Sequence, residues 1–405
     1  MNVILLTIDA LRYDKVDIYN HNCKVQLTPF LDSIADRCII FNNAYSTGPY
    51  TQVSFPGILT SSYYFDFGRS PFLSPKRTLI SEVLRKNGIL TAAFHSNPYL
   101  SEYFGWNRGW DNFYDSMQEE VSEKRPYIPG HDINKKVEEW LVNKVKGEKN
   151  KPFFLWVHYM DVHEPYIPKS EYLSIIHPEL VINEDEMFNL YKEVLLKRDV
   201  SDMEKLLLLE KLYEGKVREV DDYVKELFTI LSELEILEDS RIIIMSDHGD
   251  EFGEHGGLSH DGKMYQELLH IPLLFYDPSR RGREIFNKAV SAIDIAPTIL
   301  YLFELGTVEN FKGRPLFPLD EYKERECYAE AIEKHGTKIK ETDKEVYCLI
   351  ANGLKIIYHS SNGSWEMYNL NEDPHEKNNI ATKSPKFEEM KNMLISRINR
   401  QSNKS

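Results

Sequence analysis

Several features are scarce in this 405-residue sequence. It has only four cysteines, Cys23, Cys38, Cys327 and Cys348, and they stand far apart with no C-x-x-C pair. This spacing indicates buried free thiols rather than a disulfide scaffold, a metal site or a redox motif. Positive charge is also scarce, since 49 Lys and Arg face 64 Asp and Glu and the net charge is −15. The charge balance argues against a protein that binds nucleic acid through its phosphates.

Long apolar runs are missing as well. No run approaches the roughly 20 residues that a membrane-spanning helix needs. The amino-terminal run, MNVILLTIDALRYD, has no basic segment before it and meets an acidic residue at Asp9. It therefore lacks the layout of a secretory signal. We expect no transmembrane segment and a cytoplasmic location, where free thiols stay reduced.

The sequence is rich in an alternation of apolar runs and amphipathic stretches. Runs of strand length and β-rich composition occur at residues 3–8, 89–94, 153–159, 242–245 and 273–276. Helical spacing of apolar residues occurs between them, at residues 29–38, 79–86, 132–146 and 184–237. Strands of this continuous apolar type are buried on both faces. The alternation predicts an α/β fold with a mostly parallel central sheet covered by helices on both faces.

The pattern changes after Asp320. Short strand-like runs at residues 347–351 and 354–358 are bounded by turn residues and predict a small antiparallel sheet. A last helix is expected over about residues 385–397. We therefore predict a catalytic α/β domain over residues 1–320, with a helical insertion at about 184–211. A small C-terminal α+β subdomain would occupy residues 321–405.

Side chains of the metal-ligand type are concentrated after the strand at 242–245. Asp247 and His248 begin a segment dense in carboxylates and imidazoles, and Asp9 directly follows the first strand. Ligands bind beyond the carboxyl ends of strands in parallel sheets, so we expect these three residues to meet there. Carboxylate and imidazole groups suit a hard or borderline divalent cation. A solvated acidic loop and a simple turn acid at Asp9 are the structural alternatives.

A series of segments, in order over almost the whole chain, matches the landmarks of a known family. They are TIDALRYD, FNNAYSTGPYTQVSFPGILTS, HYMDVHEPY, YEGKVREVDDYVKELFTIL, IIIMSDHGDEFGEHG, GKMYQELLHIPLLFY, SAIDIAPTIL, GRPL and MYNLNEDPHEKNNIA. They resemble the sulfatase branch of the alkaline phosphatase superfamily. The resemblance implies an alkaline phosphatase-like fold and a metal-dependent hydrolase or transferase that acts on ester bonds.

The resemblance also implies a metal site and a nucleophile. Asp9, Asp247 and His248 would hold one divalent ion, with Mn, Zn, Ca and Mg as the candidates, and Thr51 would be a nucleophile that also contacts it. Contact with a cation lowers the pKa of an alcohol and orients its oxygen for attack. A helix that begins near Thr51 would add backbone N–H groups for an anionic substrate. A helix N-cap is the structural alternative for Thr51.

Four other residues are implied to contact the substrate. His163 would protonate the departing alcohol, which requires a group that titrates near neutral pH. Lys263 would contact the sulfuryl or phosphoryl oxygens, and His260 and Arg12 are candidates for the same electrostatic role. A hydrogen-bonded loop histidine is the alternative for His163, and a surface ion pair with Asp14 is the alternative for Arg12.

Two departures from the family pattern bear on the substrate. Formylglycine-dependent sulfatases carry a C/S-x-P-x-R motif, whereas residues 51–55 here are TQVSF, and Ala10 stands where the family has a second aspartate. A threonine nucleophile with fewer carboxylates resembles the phosphodiesterase, phosphonate hydrolase and phosphoglycerol transferase relatives. We therefore predict action on a phosphoester or phosphodiester, in a small-molecule, glycan-linked or lipid-linked anionic substrate. Sulfate ester hydrolysis without formylglycine and a catalytically inactive binding protein are the alternatives.

Overall fold

A computed structural model describes residues 1–20, 25–145, 151–333 and 342–402 of the chain. Cys23 and the end of the helix expected at 132–146 lie outside this part. Cys38, Cys327 and Cys348 are buried free thiols, as the sequence predicts. In the described part of the chain, every helix is too short or too polar to cross a bilayer.

The described residues form seventeen strands and ten α-helices. The strands are β1 (Asn2–Ile8), β2 (Cys38–Phe41), β3 (Ala44–Tyr45), β4 (Leu90–His95), β5 (Asn112–Tyr114), β6 (Phe153–Tyr159), β7 (Ser240–Ser246), β8 (Glu251–Phe252), β9 (Leu258–Ser259), β10 (His270–Ile271), β11 (Leu273–Tyr276), β12 (Glu284–Phe286), β13 (Val290–Ser291), β14 (Cys327–Ile332), β15 (Glu345–Ala351), β16 (Leu354–His359) and β17 (Ser364–Asn369). The helices are α1 (Pro29–Ser33), α2 (Thr51–Thr60), α3 (Ile80–Lys86), α4 (Gly130–Trp140), α5 (Ser170–Ile176), α6 (Glu184–Val194), α7 (Met203–Glu233), α8 (Gln266–Leu269), α9 (Ile295–Leu302) and α10 (Phe387–Ser402).

The central sheet has eight strands in the order β12-β2-β11-β7-β1-β6-β4-β5. Five of its seven pairings are parallel, and only β11 runs against both of its neighbours. The middle strand β1 shows why the sheet is buried on both faces. Its Ile4 and Leu6 pack in a core with α4 and α7, while Val3 and Leu5 pack in a second core with α2, α3 and α9. The structure confirms the predicted α/β fold with helices on both faces.

One helix prediction was wrong in its extent, and the helical region predicted at 184–237 is divided into two helices. The helix expected over 29–38 ends at Ser33, and Cys38 instead begins the strand β2, whose apolar residues pair with β11. The helical region expected over 184–237 is two helices, α6 and α7. The break comes before Asp202, whose side chain accepts hydrogen bonds from the N–H groups of Glu204 and Lys205 and so caps a new helix.

The C-terminal sheet is antiparallel in the order β14-β15-β16-β17, as the sequence predicts. Its central hairpin turns at Asn352 and Gly353, whose φ angles of 52° and 74° suit the tight two-residue turn that joins twisted strands. Residues of β14 and β15 pack in one core with Tyr50 and Val53, next to Thr51. The C-terminal sheet therefore supports the segment in which the predicted nucleophile lies.

A buried ion pair holds the loop after β17 against β16. Lys355 Nζ lies 2.8 Å from Glu376 Oε1, and neither side chain is exposed to solvent. Removal of one partner leaves an uncompensated buried charge, so we expect Lys355→Met to lower the free energy of unfolding by about 3 to 5 kcal/mol in chemical denaturation. The matched control is Lys386→Met, which breaks an exposed pair with Glu389 and should cost less than about 1 kcal/mol. Equal losses in the two variants would contradict this expectation.

Candidate active site

Four adjacent parallel strands, β7, β1, β6 and β4, deliver side chains to one edge of the central sheet. Asp9 follows β1, and Asp247 with His248 follows β7. Asn97 lies two residues beyond β4, and His163 lies in the loop after β6. Residues far apart in the sequence are thus brought together beyond the carboxyl ends of the strands, where α/β sheets bind ligands.

The metal ligands and the nucleophile implied by the resemblance lie in contact. Thr51 Oγ1 is 3.3 Å from Asp9 Oδ2 and 3.4 Å from His248 Nε2. His248 Nε2 is 3.4 Å from Asp247 Oδ2 and 3.7 Å from Asp9 Oδ1. Thr51 is the first residue of α2 and Tyr50 is its N-cap, so the Thr51 hydroxyl is not used for capping. It is available for chemistry at the start of a helix.

The donor set of Asp9, Asp247 and His248 fits a divalent cation. One ligand atom from each residue lies within 4.8 Å of the others, and all three side chains are fully buried. Among the described residues, none forms a hydrogen bond with Asp9 Oδ1. The His248 ring pairs its Nδ1 with the carbonyl oxygen of Gly249 at 2.9 Å, and donation there leaves the Nε2 lone pair facing the carboxylates. Ligand distances of about 2.0 to 2.2 Å would place such donors at spacings like those observed.

The electrostatics of the site also suit a cation. Burial alone would raise the pKa of Asp9, but the imidazoles of His158, His163 and His248 hold that pKa well below its ordinary value. Burial and the negative charge of Asp9 raise the pKa of Asp247 well above its ordinary value. Burial lowers the pKa of His248 and so favours its neutral, ligating form. Two buried carboxylates that oppose each other's ionisation are what a bound divalent ion would neutralise.

Two residues that the sequence interpretation missed hold Asp9 in place. Asn97 Nδ2 donates to Asp9 Oδ2 at 2.8 Å and lies 3.4 Å from Thr51 Oγ1. His158 Nε2 lies 3.3 Å from Asp9 Oδ2, while its Nδ1 is 2.8 Å from Thr7 Oγ1. The available signals were an Asn just past the strand expected at 89–94, and a single His inside the apolar strand at 153–159.

We expect Asn97→Ala to lower kcat by about 10- to 100-fold, the range typical of residues that orient metal ligands. The amide orients both Asp9 and Thr51, so its loss should reduce turnover without unfolding the chain. Steady-state kinetics on the best substrate, together with a melting curve, tests this expectation. The matched control is Asn87→Ala, because the exposed Asn87 amide only bonds the carbonyl of Val83 at the end of α3. An unchanged kcat in Asn97→Ala would rule out the orienting role.

A cavity of about 80 Å³ opens beside Thr51. Its walls, which define the Thr51 cavity, are Tyr50, Thr51, Gln52, Asn97, Pro98, Tyr99, Met160, His163 and His260. The rings of His163 and His260 lie 4.9 Å apart. Both predicted histidines therefore face the small space in which a group attacked by Thr51 would lie.

Each of the two histidines is oriented by a neighbouring acceptor. His163 Nδ1 is 2.8 Å from the carbonyl oxygen of Glu164, and His260 Nδ1 is 2.8 Å from Asp250 Oδ1. Burial acts to lower the pKa of His163, but the negative charges of Asp9, Glu164 and Asp250 outweigh it and raise that pKa. These charges favour the protonated form of His163, which a group that protonates a leaving alcohol requires.

The structure does not place Arg12 or Lys263 in the Thr51 cavity. Arg12 is nearly buried and its guanidinium is paired with Asp14 at 2.8 Å and with Glu254 at 2.5 Å. Lys263 Nζ lies 3.0 Å from Glu251 Oε2 and donates to the carbonyl oxygen of His255 at 2.8 Å. Contact of either cation with substrate stays a prediction, and it would require these ion pairs to open.

Comparisons with known proteins identify the family of this chain. The family model described as Sulfatase matches residues 1–305, and the model described as N-sulphoglucosamine sulphohydrolase, C-terminal, matches residues 253–404. An arylsulfatase of Clostridium perfringens is 23% identical over 94% of this chain and 90% of its own length. Arylsulfatase K of Homo sapiens is 23% identical over 95% of this chain and 80% of its own length.

Solved structures show the same fold over the whole chain. A protein in complex with its substrate D-glucosamine-2-N,6-O-disulfate superposes with a TM-score of 0.80 at 20% identity, covering 99% of this chain and 98% of that one. The phosphonate monoester hydrolase of Agrobacterium radiobacter superposes with a TM-score of 0.76 at 18% identity, covering 100% of this chain and 96% of that one. On the family match over residues 1–305, this chain belongs to the sulfatase family, whose members hydrolyse ester bonds and typically bind a divalent metal ion.

Proposed function

We propose that this sulfatase-family hydrolase acts on a phosphoester or phosphodiester with Thr51 as its nucleophile. The main support for the proposal is the position of Thr51 Oγ1 at the first turn of α2. This oxygen lies 3.3 Å from Asp9 Oδ2 and 3.4 Å from His248 Nε2. The residues at 51–55 are TQVSF, so the position used for formylglycine in the C/S-x-P-x-R motif holds an unmodified alcohol. The nucleophile is then the threonine itself.

In the starting state Thr51 Oγ1 is ionised, and in the first step this oxygen attacks the phosphorus atom in line with the departing alcohol. The bond from phosphorus to the alcohol breaks, and His163 gives its proton to the alkoxide that leaves. A divalent cation held by Asp9, Asp247 and His248 would supply positive charge that favours the ionised Thr51 oxygen and the anionic substrate. The product of this step is a phosphate ester of Thr51 and a free alcohol.

In the second step, water or an acceptor alcohol attacks the same phosphorus and releases Thr51. Neutral His163 now accepts a proton from the attacking oxygen, which restores the starting state of the enzyme. The two steps require that Thr51 stay fixed while the groups on phosphorus change. The hydrogen bond from Asn97 to Asp9 and the packing of α2 hold it there.

The family names among the relatives support an anionic ester as substrate. One similar structure is a phosphonate monoester hydrolase, and another holds a sulfated sugar. We propose a small-molecule, glycan-linked or lipid-linked ester here, and no nucleic acid, because the chain carries a net charge of −15. A buried cation reverses the sign of the field locally, so an acidic protein can still attract one small anion to this site.

Sulfate ester hydrolysis is the second candidate. It is favoured by the arylsulfatase relatives and by the match of residues 253–404 to an N-sulphoglucosamine sulphohydrolase model. It requires Thr51 to form a sulfate ester that water then cleaves. The chemistry at Thr51 is the same in both candidates, and they differ only in the group that is transferred.

A substrate and metal panel separates the candidates. Aryl phosphodiester, phosphonate monoester and aryl sulfate substrates would each be assayed with Mn²⁺, Zn²⁺, Mg²⁺ and Ca²⁺. We expect the highest kcat/KM on a phosphorus ester, and we expect no turnover of any substrate after the cation is removed by a chelator. Preference for the sulfate ester would favour the second candidate. No turnover on any substrate with any cation would contradict both and favour a binding protein without catalysis.

A further inference from the structure

Four aromatic side chains form a continuous cluster, and one of them, Tyr99, lines the Thr51 cavity. The ring centroids of Tyr99 and Phe104 are 6.0 Å apart, and those of Phe104 and Phe72 are 5.2 Å apart. Tyr103 completes the cluster, with its ring centroid 5.4 Å from that of Phe72 and 5.0 Å from that of Phe104. These four residues are called the aromatic platform.

Three of the four residues of the aromatic platform are exposed to solvent. Tyr103 is 74% exposed, Phe72 is 46% exposed and Tyr99 is 36% exposed. Single exposed apolar residues are common, but contiguous exposed apolar patches mark binding surfaces in soluble proteins. Phe104 is half-buried and packs against the core that contains α2, α3 and α9, whereas the other three residues are exposed.

The aromatic platform is continuous with the candidate active site. Tyr99 belongs both to the platform and to the wall of the Thr51 cavity. Asn97 joins the two, because its Oδ1 accepts a hydrogen bond from the Tyr99 N–H at 2.9 Å while its Nδ2 donates to Asp9 Oδ2 at 2.8 Å. The same amide therefore fixes the position of a carboxylate in the proposed metal site and of the first ring of the platform.

The remaining rings are tied to this segment through the backbone. The N–H of Leu73, next to Phe72, donates to the carbonyl oxygen of Phe104 at 2.8 Å. The N–H of Glu102 donates to Asp115 Oδ2 at 2.9 Å and anchors the short turn that carries Tyr103 and Phe104. The platform is therefore built from two loops that are fastened to each other and to Asn97.

The size of the Thr51 cavity limits how much of a substrate it can enclose. At about 80 Å³ the cavity has room for a phosphoryl or sulfuryl group but not for a whole substrate, since sites for small molecules commonly enclose about 300 to 1,000 Å³. The organic group of an ester held at Thr51 must extend out of the cavity. On the side of Tyr99 it meets the aromatic platform.

The chemistry of the platform selects an apolar group. Its surface consists of phenyl and phenol rings and offers no charged side chain of its own. The rings are tilted against each other by 41° to 84°, so they form a ridged apolar surface rather than one flat stacking face. We propose that the aromatic platform binds an extended apolar group, such as an alkyl chain, on the ester whose anionic head lies in the Thr51 cavity. This inference rests on the proposed function.

A series of n-alkyl phosphonates tests the proposal by binding alone. Methyl to hexyl phosphonate would be titrated by calorimetry into the full chain at a fixed excess of divalent cation. We expect Kd to fall by about twofold per added methylene, short of the roughly fourfold that complete burial of a methylene gives. The double variant Phe72→Ser/Tyr103→Ser should bind methyl phosphonate as wild type does and should lose most of the dependence on chain length.

Val181→Ser is the matched control, because Val181 is an apolar side chain that is 94% exposed and lies outside both the platform and the cavity. It should keep the wild-type dependence on chain length. The proposal is overturned if wild type shows no chain-length dependence, or if the double variant keeps it in full. Failure of the proposed function is distinguishable, because then methyl phosphonate itself does not bind or the protein binds the series without turning over any ester.

Discussion

Thr51→Ala is expected to lower kcat/KM on the best ester substrate by at least about 10³-fold, since the loss of a covalent nucleophile removes the reaction path and leaves only electrostatic and binding contributions. Thr51→Ser keeps an alcohol at the same position and should retain a measurable part of the activity. Thr51 is only 5% exposed, but the substitution to Ala removes no more than one methyl and one hydroxyl group from the interior. The folded state should survive, which a melting curve would show.

The control for Thr51→Ala is Thr229→Ala, because the Thr229 hydroxyl lies on the exposed face of α7 and donates to the carbonyl oxygen of Lys225. It should leave kcat/KM unchanged. Turnover in Thr51→Ala within tenfold of wild type would contradict the assignment of the nucleophile. A loss that is equal in Thr51→Ser and Thr51→Ala would point to packing rather than to the alcohol.

Asp247→Asn is expected to separate cation binding from folding. The wild-type chain should gain about 2.7 kcal/mol of stability when the cation is present at one hundred times its Kd. Asp247→Asn removes one of the two buried carboxylates of the metal site, so the cation affinity of the variant should fall by at least about tenfold. The stabilisation of the variant by the same cation concentration should fall as well. Without cation the variant should be as stable as wild type or more so, because burial and Asp9 both disfavour the charge of Asp247.

Thermal unfolding with and without EDTA, over a series of cation concentrations, measures both effects. Asp185→Asn is the matched control, since the Asp185 side chain is 82% exposed and pairs only with Lys124 at the surface. It should respond to cation as wild type does. A wild-type melting temperature that stays the same with every divalent cation tested would contradict the metal site.

Much of the scaffold follows from local sequence. The runs at residues 153–159 and 273–276 are strands with the predicted bounds, because apolar β-rich segments of that length can be satisfied only inside a sheet. The positions of Asp9 and Asp247 directly after apolar strands were enough to bring them to one edge of the sheet. Parallel strands end at the same edge, so sequence distance does not matter there.

Other features depend on contacts that no local pattern reveals. The helical spacing that starts at Pro29 continues to Cys38, yet Cys38 begins the strand β2, which pairs with β11 on one side and β12 on the other. The contacts of Asn97 and His158 with Asp9 depend on the arrangement of neighbouring strands in the sheet, so the sequence alone did not identify these two residues as part of the site. The pair of Arg12 with Asp14 is the alternative that the sequence offered, although Arg12 is nearly buried rather than at the surface. Its second partner, Glu254, lies far away in the sequence, and no local pattern predicts a pair of that kind.

The most direct test of the account is the identification of a covalent intermediate on Thr51. The enzyme would be mixed with an aryl phosphodiester or phosphonate monoester, quenched in acid during turnover, digested and analysed by peptide mass spectrometry. If Thr51 is the nucleophile, the peptide that contains Thr51 gains the mass of the transferred group, and the corresponding peptide of Thr51→Ala gains none. The experiment requires conditions in which the covalent intermediate forms faster than water or an acceptor alcohol cleaves it. Full turnover by wild type with an unmodified Thr51 under those conditions would contradict the role of Thr51 as nucleophile.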